Sequence, residues 1–242
     1  MIDPNEKSTE GSSVTTKERP GFVSEDLGED LVLDSRLGLY HRSERWLAVS
    51  DLHFGYEVSR RMAGGLWPLW GMRTIEERLL SLIDTWTPGQ VVLVGDIVDS
   101  SAAPRQAVEW LERLRQCSPE LILVEGNHDR GEVKRHFDFV PEFRTGRFLF
   151  HHGHIDGRSP EHDDDCIEIT GHLHPSVRFA DGAGTSLRLP ALTREVVRPG
   201  SREIWRLPAF SPWAGGNPSR PTNEAHPFHQ WACGGHRILP VT

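Results

Sequence analysis

The sequence predicts an α/β protein built around parallel strands. Three continuous apolar runs, Trp46-Leu47-Ala48-Val49-Ser50, Val91-Val92-Leu93-Val94 and Leu121-Ile122-Leu123-Val124, alternate with two helical patterns. Runs of this kind are buried on both faces of a sheet and are joined by crossover helices. Each run is followed at once by a cluster of Asp, Asn and His, and α/β folds place their ligands beyond the carboxyl ends of their strands.

Taken in order, residues 1–24 are rich in Ser, Thr, Glu, Lys and Gly. They carry too little apolar surface to offset the entropy of ordering them, so a disordered tail is expected, followed by one domain over 25–242. Apolar segments at 31–34, 37–40 and 46–50, broken by polar turns, read as three strands. Thr74 and Glu77 have capping-box spacing, and Ile75, Leu79, Leu82, Ile83 and Trp86 recur at helical intervals, predicting a helix over 74–86. Pro88-Gly89 breaks it before the strand at 91–94. Pro104 suits a first helical turn, and Ala107, Val108, Leu111 and Leu114 form one stripe that leads to the strand at 121–124. After about 145 the pattern changes to short strands at 147–151, 166–170, 176–179, 185–189 and 203–207, a more antiparallel sheet. Beyond Pro208 the chain is rich in Pro, Gly and Trp, with a closing strand expected at 237–241.

Composition narrows the function. With 27 Lys and Arg against 35 Asp and Glu, the net charge of −8 makes the chain a poor non-specific binder of long duplex, so any nucleic-acid role is local. No apolar run approaches the roughly 18 residues of a membrane span, and the start shows no basic segment followed by an apolar one. The expectation is therefore a cytoplasmic protein without a membrane partner. Cys117, Cys166 and Cys233 are widely spaced and unpaired in sequence, which argues against disulfides and thiolate zinc sites. The 13 His are clustered, and imidazole is the commonest metal ligand.

Five clusters follow strands: Asp51-Leu52-His53, Gly95-Asp96-Ile97-Val98-Asp99, Gly126-Asn127-His128-Asp129, His151-His152-Gly153-His154 and Gly171-His172-Leu173-His174. Each alone is readable as a turn. Together they suit a centre of two divalent cations, whose mutual repulsion calls for a bridging carboxylate, with Asp96 the natural bridge.

The set resembles the calcineurin-like metallophosphoesterases, whose pattern runs D-x-H, G-D-x-x-D, G-N-H-[D/E], a His of an H-G segment, and G-H-x-H. The resemblance implies a four-layer α/β/β/α sandwich of two mixed β-sheets flanked by helices. It places Asp51, His53, Asp96 and His174 on one metal, and Asp96, Asn127, His152 and His172 on the other. His152 is chosen because it precedes Gly153, with His151 and His154 as alternatives. The donor set suits manganese first, with iron or zinc also possible. The family implies in-line attack of an activated water on phosphorus, with His128 giving a proton to the leaving oxygen and Asp129 orienting it. Asp99 and His154 are read as supports for the ligands rather than as ligands.

Flanking residues, among them Leu39-Tyr40, Phe54-Gly55, Pro175 with Val177, and Leu207-Pro208-Ala209-Phe210, look like the DNA ligase-associated branch of that family. That branch implies phosphodiester hydrolysis on nucleic-acid ends or 2′,3′-cyclic nucleotides. It also implies a functional link to an ATP-dependent DNA ligase, a helicase and an exonuclease. Asp99, where many members of the branch have His, is a departure. Between 58 and 74, Arg60, Arg61 and Arg73 with Trp67 and Trp70 read as a basic loop for a phosphate and a base. Arg130, Lys134 and Arg135 read as a solvated helix face, and residues 161–165 as a solvated acidic turn. The rival readings are a small-molecule pyrophosphate or nucleotide hydrolase and a non-catalytic scaffold of the same fold.

Overall fold

In the computed structural model, residues 21–99, 103–118, 120–154 and 165–241 are described. Most of the expected N-terminal tail, and all but Asp165 of the acidic turn, lie outside them.

The first sheet has the spatial order β1 (Ser24–Gly28), β2 (Leu31–Asp34), β3 (Gly38–His41), β4 (Trp46–Ser50), β5 (Gln90–Val94), β6 (Leu121–Val124) and β7 (Phe139–Val140). Pairing is antiparallel from β1 to β4 and parallel from β4 to β7. Four helices, α1 (Tyr56–Met62), α2 (Gly71–Trp86), α3 (Pro104–Cys117) and α4 (Val133–His136), fall between its strands. The predicted stripe of α2 is the buried one, Ile75, Leu79, Leu82 and Ile83. On α3 the buried set is Ala107, Trp110, Leu111 and Leu114.

The second sheet comprises β8 (Phe143–Thr145), β9 (Phe148–His151), β10 (Cys166–Thr170), β11 (Pro175–Ala180), β12 (Ser186–Arg198), β13 (Arg202–Arg206), β14 (Asn217–Pro218), β15 (Phe228–Cys233) and β16 (Ile238–Val241). Its main path runs β14-β11-β12-β13-β10-β9-β8, and β15 joins β12 to β16. This sheet is mixed, because β10 is parallel to both β9 and β13. One core cluster runs through both sheets. Trp46 on β4 meets Phe148 and Phe150 on β9 edge-on, with ring centroids 5.0 and 5.1 Å apart. Each such buried aromatic or aliphatic side chain contributes roughly 1.5–3 kcal/mol.

Three details differ from the sequence reading. The stretch read as a basic loop holds α1 and the first turn of α2. α1 escaped notice because its one buried residue is Glu57, so no apolar stripe marks it. Helix α2 starts at Gly71 rather than 74, and Thr74 and Glu77 do not form a capping box. Glu57 Oε1 instead accepts the Met72 N–H at 2.8 Å, capping α2 from a neighbouring helix, while Glu77 pairs with Arg73 at 2.6 Å. Strand β12 runs to Arg198, well past the predicted 189, because Pro190 and the charged Arg194 and Glu195 hide its continuation from a hydrophobic pattern.

Candidate metal centre

The carboxyl ends of β4, β5 and β6 and those of β9 and β10 converge, and their loops bring the clusters together. The junction is tied by main chain. The Phe210 N–H donates to Ser50 O at 2.8 Å, and the Ser211 N–H donates to Asp51 O at 3.0 Å.

Three groups of potential ligands meet there: Asp51 with His53 and His174, Asp96 with His152 and His172, and His53 with Asp99 and His128. His174 Nε2 lies 3.1 Å from Asp51 Oδ1 and 3.4 Å from His53 Nε2. Asp96 Oδ2 is 3.2 Å from His152 Nε2 and 3.9 Å from His53 Nε2, so Asp96 sits between the first two groups, where a bridge belongs. Asn127 Oδ1 completes the second group, 3.2 Å from His152 Nε2. His151 points away, its Nε2 3.3 Å from Glu168 Oε2. His154 stands beside His152 with ring centroids 5.2 Å apart, and its buried Nδ1 has no partner among the described residues.

The backbone is bent to present these groups. Asp51, His53, Asp96, His172 and His174 have φ of 54°, 47°, 47°, 70° and 48°. Left-handed backbone costs a non-glycine residue roughly 1–2 kcal/mol, and its concentration on five donors marks a site under functional constraint. Two motif glycines are required by closeness. A Cβ at Gly126 would collide with the Asp96 main chain, and one at Gly171 would sit 2.7 Å from Asp51 Oδ2. The His172 N–H donates to both Asp51 oxygens at 3.0 and 3.1 Å, and the His128 N–H to Asp96 Oδ1 at 2.8 Å. These bonds aim the carboxylates inward.

Burial opposes the charge of Asp96, but the His152 ring and the His128 N–H outweigh it and hold its carboxyl well below the usual range. Burial likewise disfavours charge on His53 and His152, yet the surrounding Asp carboxylates raise both. His172 is lowered, first by burial and then by repulsion from His152. Negative charge thus exceeds what neutral imidazoles can balance. Buried, oriented oxygen and nitrogen donors around concentrated negative charge fit divalent cations.

The carboxylate beside His128 differs from expectation. Asp129 does not orient the His128 ring. Its Oδ1 accepts the N–H groups of Ile97 and Val98 at 2.9 and 3.0 Å, and its Oδ2 accepts that of Gly126 at 2.8 Å. Burial outweighs these three donors and pushes its carboxyl up to about 6. Asp99 faces the histidines instead, its Oδ1 lying 3.6 Å from His128 Nδ1 and 3.7 Å from His53 Nδ1. Arg60 and Arg61 lie on α1, Arg60 over the Tyr56 ring at 4.7 Å, whereas the Arg73 guanidinium is engaged by Glu77. Lys134 is engaged by Glu125.

The profile of the calcineurin-like phosphoesterase family matches residues 45–183. A Danio rerio transmembrane protein with a metallophosphoesterase domain is 26% identical over 162 residues, 65% of this chain. The match is 32% of that protein, so the chain spans about a third of the length of the curated relative. Among the described residues no helix is long and apolar enough to cross a membrane. The crystal structure of the Pseudomonas putida nuclease MPE shares the fold at TM-score 0.64 and 22% identity, covering 91% of this chain and 100% of that one. The E. coli phosphoesterase Yfce aligns at TM-score 0.46 and 19% identity, over 81% of this chain and 97% of its own.

Proposed function

The chain belongs to the calcineurin-like phosphoesterase family, whose profile covers more than half of it, and from that premise we propose a two-metal phosphodiesterase acting on nucleic-acid ends or nucleotides. The observation that carries the reading is Asp96, held between two groups of ligand-type side chains, 3.2 Å from His152 and 3.9 Å from His53.

Asp51, His53, Asp96 and His174 would hold one cation, and Asp96, Asn127, His152 and His172 the other, with manganese the first choice. Such a pair, when bound, lowers the pKa of water and neutralises charge on phosphoryl oxygens. The chain's own residues do the rest. His128 has a side chain 45% exposed, and with Nδ1 turned toward Asp99 its other ring nitrogen is free to give a proton to a leaving oxygen. Asp99, 3.7 Å from His53 Nδ1 and 3.6 Å from His128 Nδ1, positions both rings. Asp129 fixes the loop that carries Asn127 and His128. Arg60 and Arg61 on α1 are the candidates for a strand backbone beside the centre.

The supporting experiment is Mn-dependent hydrolysis of bis-p-nitrophenyl phosphate, p-nitrophenyl phosphate and a 2′,3′-cyclic nucleotide, with Asp96→Asn as blank. Diester turnover that disappears in the variant is expected. Silence on all three with two metals bound would count against the reading. The proposed setting is the cytoplasm, in step with an ATP-dependent ligase, a helicase and an exonuclease. Co-purification with the ligase would support direct contact, and its absence with purified partners would remove that part.

A further inference from the structure

A cleft of about 320 Å³ adjoins the centre at His174, walled by the start of β11, by β12, by α2 and by the segment around Ser211. Two arginines line it, Arg78 and Arg188, and no Asp or Glu does. Arg78 is largely withdrawn from water. It donates to Phe210 O at 2.8 Å and lies over the Phe210 ring at 5.1 Å, and burial lowers its pKa. Arg188 donates to Gly216 O at 2.8 Å. Neither makes an ion pair among the described residues. Ser176, only 5% exposed, lines the same cleft, and its Oγ has no hydrogen-bond partner there.

Among the described residues, the other arginines withdrawn from water each meet a carboxylate. Arg36 pairs with Asp34, Arg202 with Glu168, Arg206 with Glu195, and Arg194 with Glu203. Arg78, half-buried, and Arg188, exposed at the mouth, place two guanidinium groups in one cleft with no carboxylate beside them, an arrangement that suits an anion from outside. Arg178 faces Arg188 across the β11–β12 ladder and extends the positive face outward. The cleft is also locked to the centre. Its walls include His174 itself, and Ser211 and Phe210 are bonded to the main chain at Asp51 and Ser50.

We infer that this cleft is a second anion subsite, holding through Arg78, Arg188 and Ser176 a phosphate that flanks the phosphodiester at the metal centre. The substrate class is then a strand end or short oligonucleotide with at least two phosphates, rather than an isolated diester. Guanidinium forks match phosphate oxygens in pairs, which a carbonyl-bonded arginine can still do with its free N–H groups. The inference rests on the phosphodiesterase reading for the identity of the neighbouring group.

The test is calorimetric titration of the full chain, treated with chelator, with dithymidylate phosphorylated at both ends and with the same dinucleotide lacking terminal phosphates. The wild-type protein is expected to bind the phosphorylated form about tenfold more tightly, the scale of one or two charge-assisted contacts. Arg188→Ala, on an exposed side chain, is expected to reduce the preference to about threefold or less, and Arg78→Met to do the same if circular dichroism shows it folded. No preference in the wild type, or a preference that survives in folded variants, would overturn the subsite. The kcat/KM ratio for the two dinucleotides in Mn, read in parallel, should fall with the binding preference. If the wild type hydrolyses neither dinucleotide nor bis-p-nitrophenyl phosphate while the binding preference stands, the phosphodiesterase reading fails and the anion subsite survives it.

Discussion

The two sheets meet at one site but are held together by different chemistry. In the first, the central strands are apolar but for Ser50 at the end of β4 and Gln90 at the start of β5, and Leu47, Ala48, Val49, Val91, Val92, Leu93 and Val94 are all fully buried. In the second, carboxylates are buried within the strands. Glu168 on β10 accepts from Arg202 at 2.9 Å, and Glu203 on β13 accepts from Arg194 and from Trp205 Nε1, both at 2.8 Å. Glu195 on β12 takes Arg206 at 2.9 Å, His226 at 2.8 Å and the Thr222 N–H at 2.9 Å. The site divides along the same line. Loops of the first sheet supply the carboxylates, the amide and His53, whereas those of the second supply His152, His172 and His174. An apolar sheet gains from burial without regard to pH, whereas a sheet built on buried ions is sensitive to losing any one partner.

The sharpest break is at the carboxylate between the two halves. Asp96→Asn should lose metal binding and at least about 10³-fold in turnover together, measured by calorimetry and diester hydrolysis. His128→Ala should keep the metals and lose about 10²-fold on poor leaving groups. Equal loss of metal in both variants would overturn the role given to His128.

Next in size are the two ways of holding a sheet. Glu195→Ala should cost about 3–5 kcal/mol by stranding Arg206 in the interior, and Leu93→Ala about 2–5 kcal/mol by leaving a cavity. Urea unfolding at pH 7 and at pH 3 separates them. Burial resists ionisation of Glu195, but hydrogen bonds from Thr222, His226 and Arg206 outweigh it and hold the carboxyl at about 2, against an ordinary value of 4.5. A depressed carboxyl contributes stability that is complete above 4.5 and is lost as pH falls toward 2. The Glu195→Ala deficit should therefore shrink at pH 3, while the Leu93→Ala deficit stays. A deficit at Glu195 that is the same at both pH values would remove the contrast.

The smallest effect concerns the link between the halves at Glu57. Its Oε2 accepts Trp213 Nε1 at 3.0 Å, tying α1 and α2 to the segment beyond β13. Trp213→Phe should cost about 1 kcal/mol by thermal unfolding.

Much of the site was legible because its donors follow strands. Asp51, His53, Asp96, Asn127, His172 and His174 each stand within three residues of a strand end or an adjoining glycine turn, and the three-dimensional arrangement brings them together. What escaped was set by contacts between distant segments. Asp99 and Asp129 are equivalent by composition, yet only the loop geometry turns Asp99 to the histidines and Asp129 to three main-chain donors. α1 was hidden because the one residue it buries is Glu57, and the far half of β12 because Pro190 and the charged Arg194 and Glu195 interrupt its apolar pattern, although Ala191 and Leu192 are buried there. Arg78 and Arg188, separated by 110 positions, share a cleft only after folding.

By itself, then, the sequence determined the apolar strands β4, β5 and β6, the helices α2 and α3 between them and the donor types at the strand ends. Those features depend on local periodicity and on the few residues that follow each strand. The tertiary structure alone decided which carboxylate faces which histidine, which charges are buried against each other, and which arginines are left with no carboxylate. Those are properties of distance between segments, and electrostatic and hydrogen-bond energies are fixed by distance rather than by order along the chain.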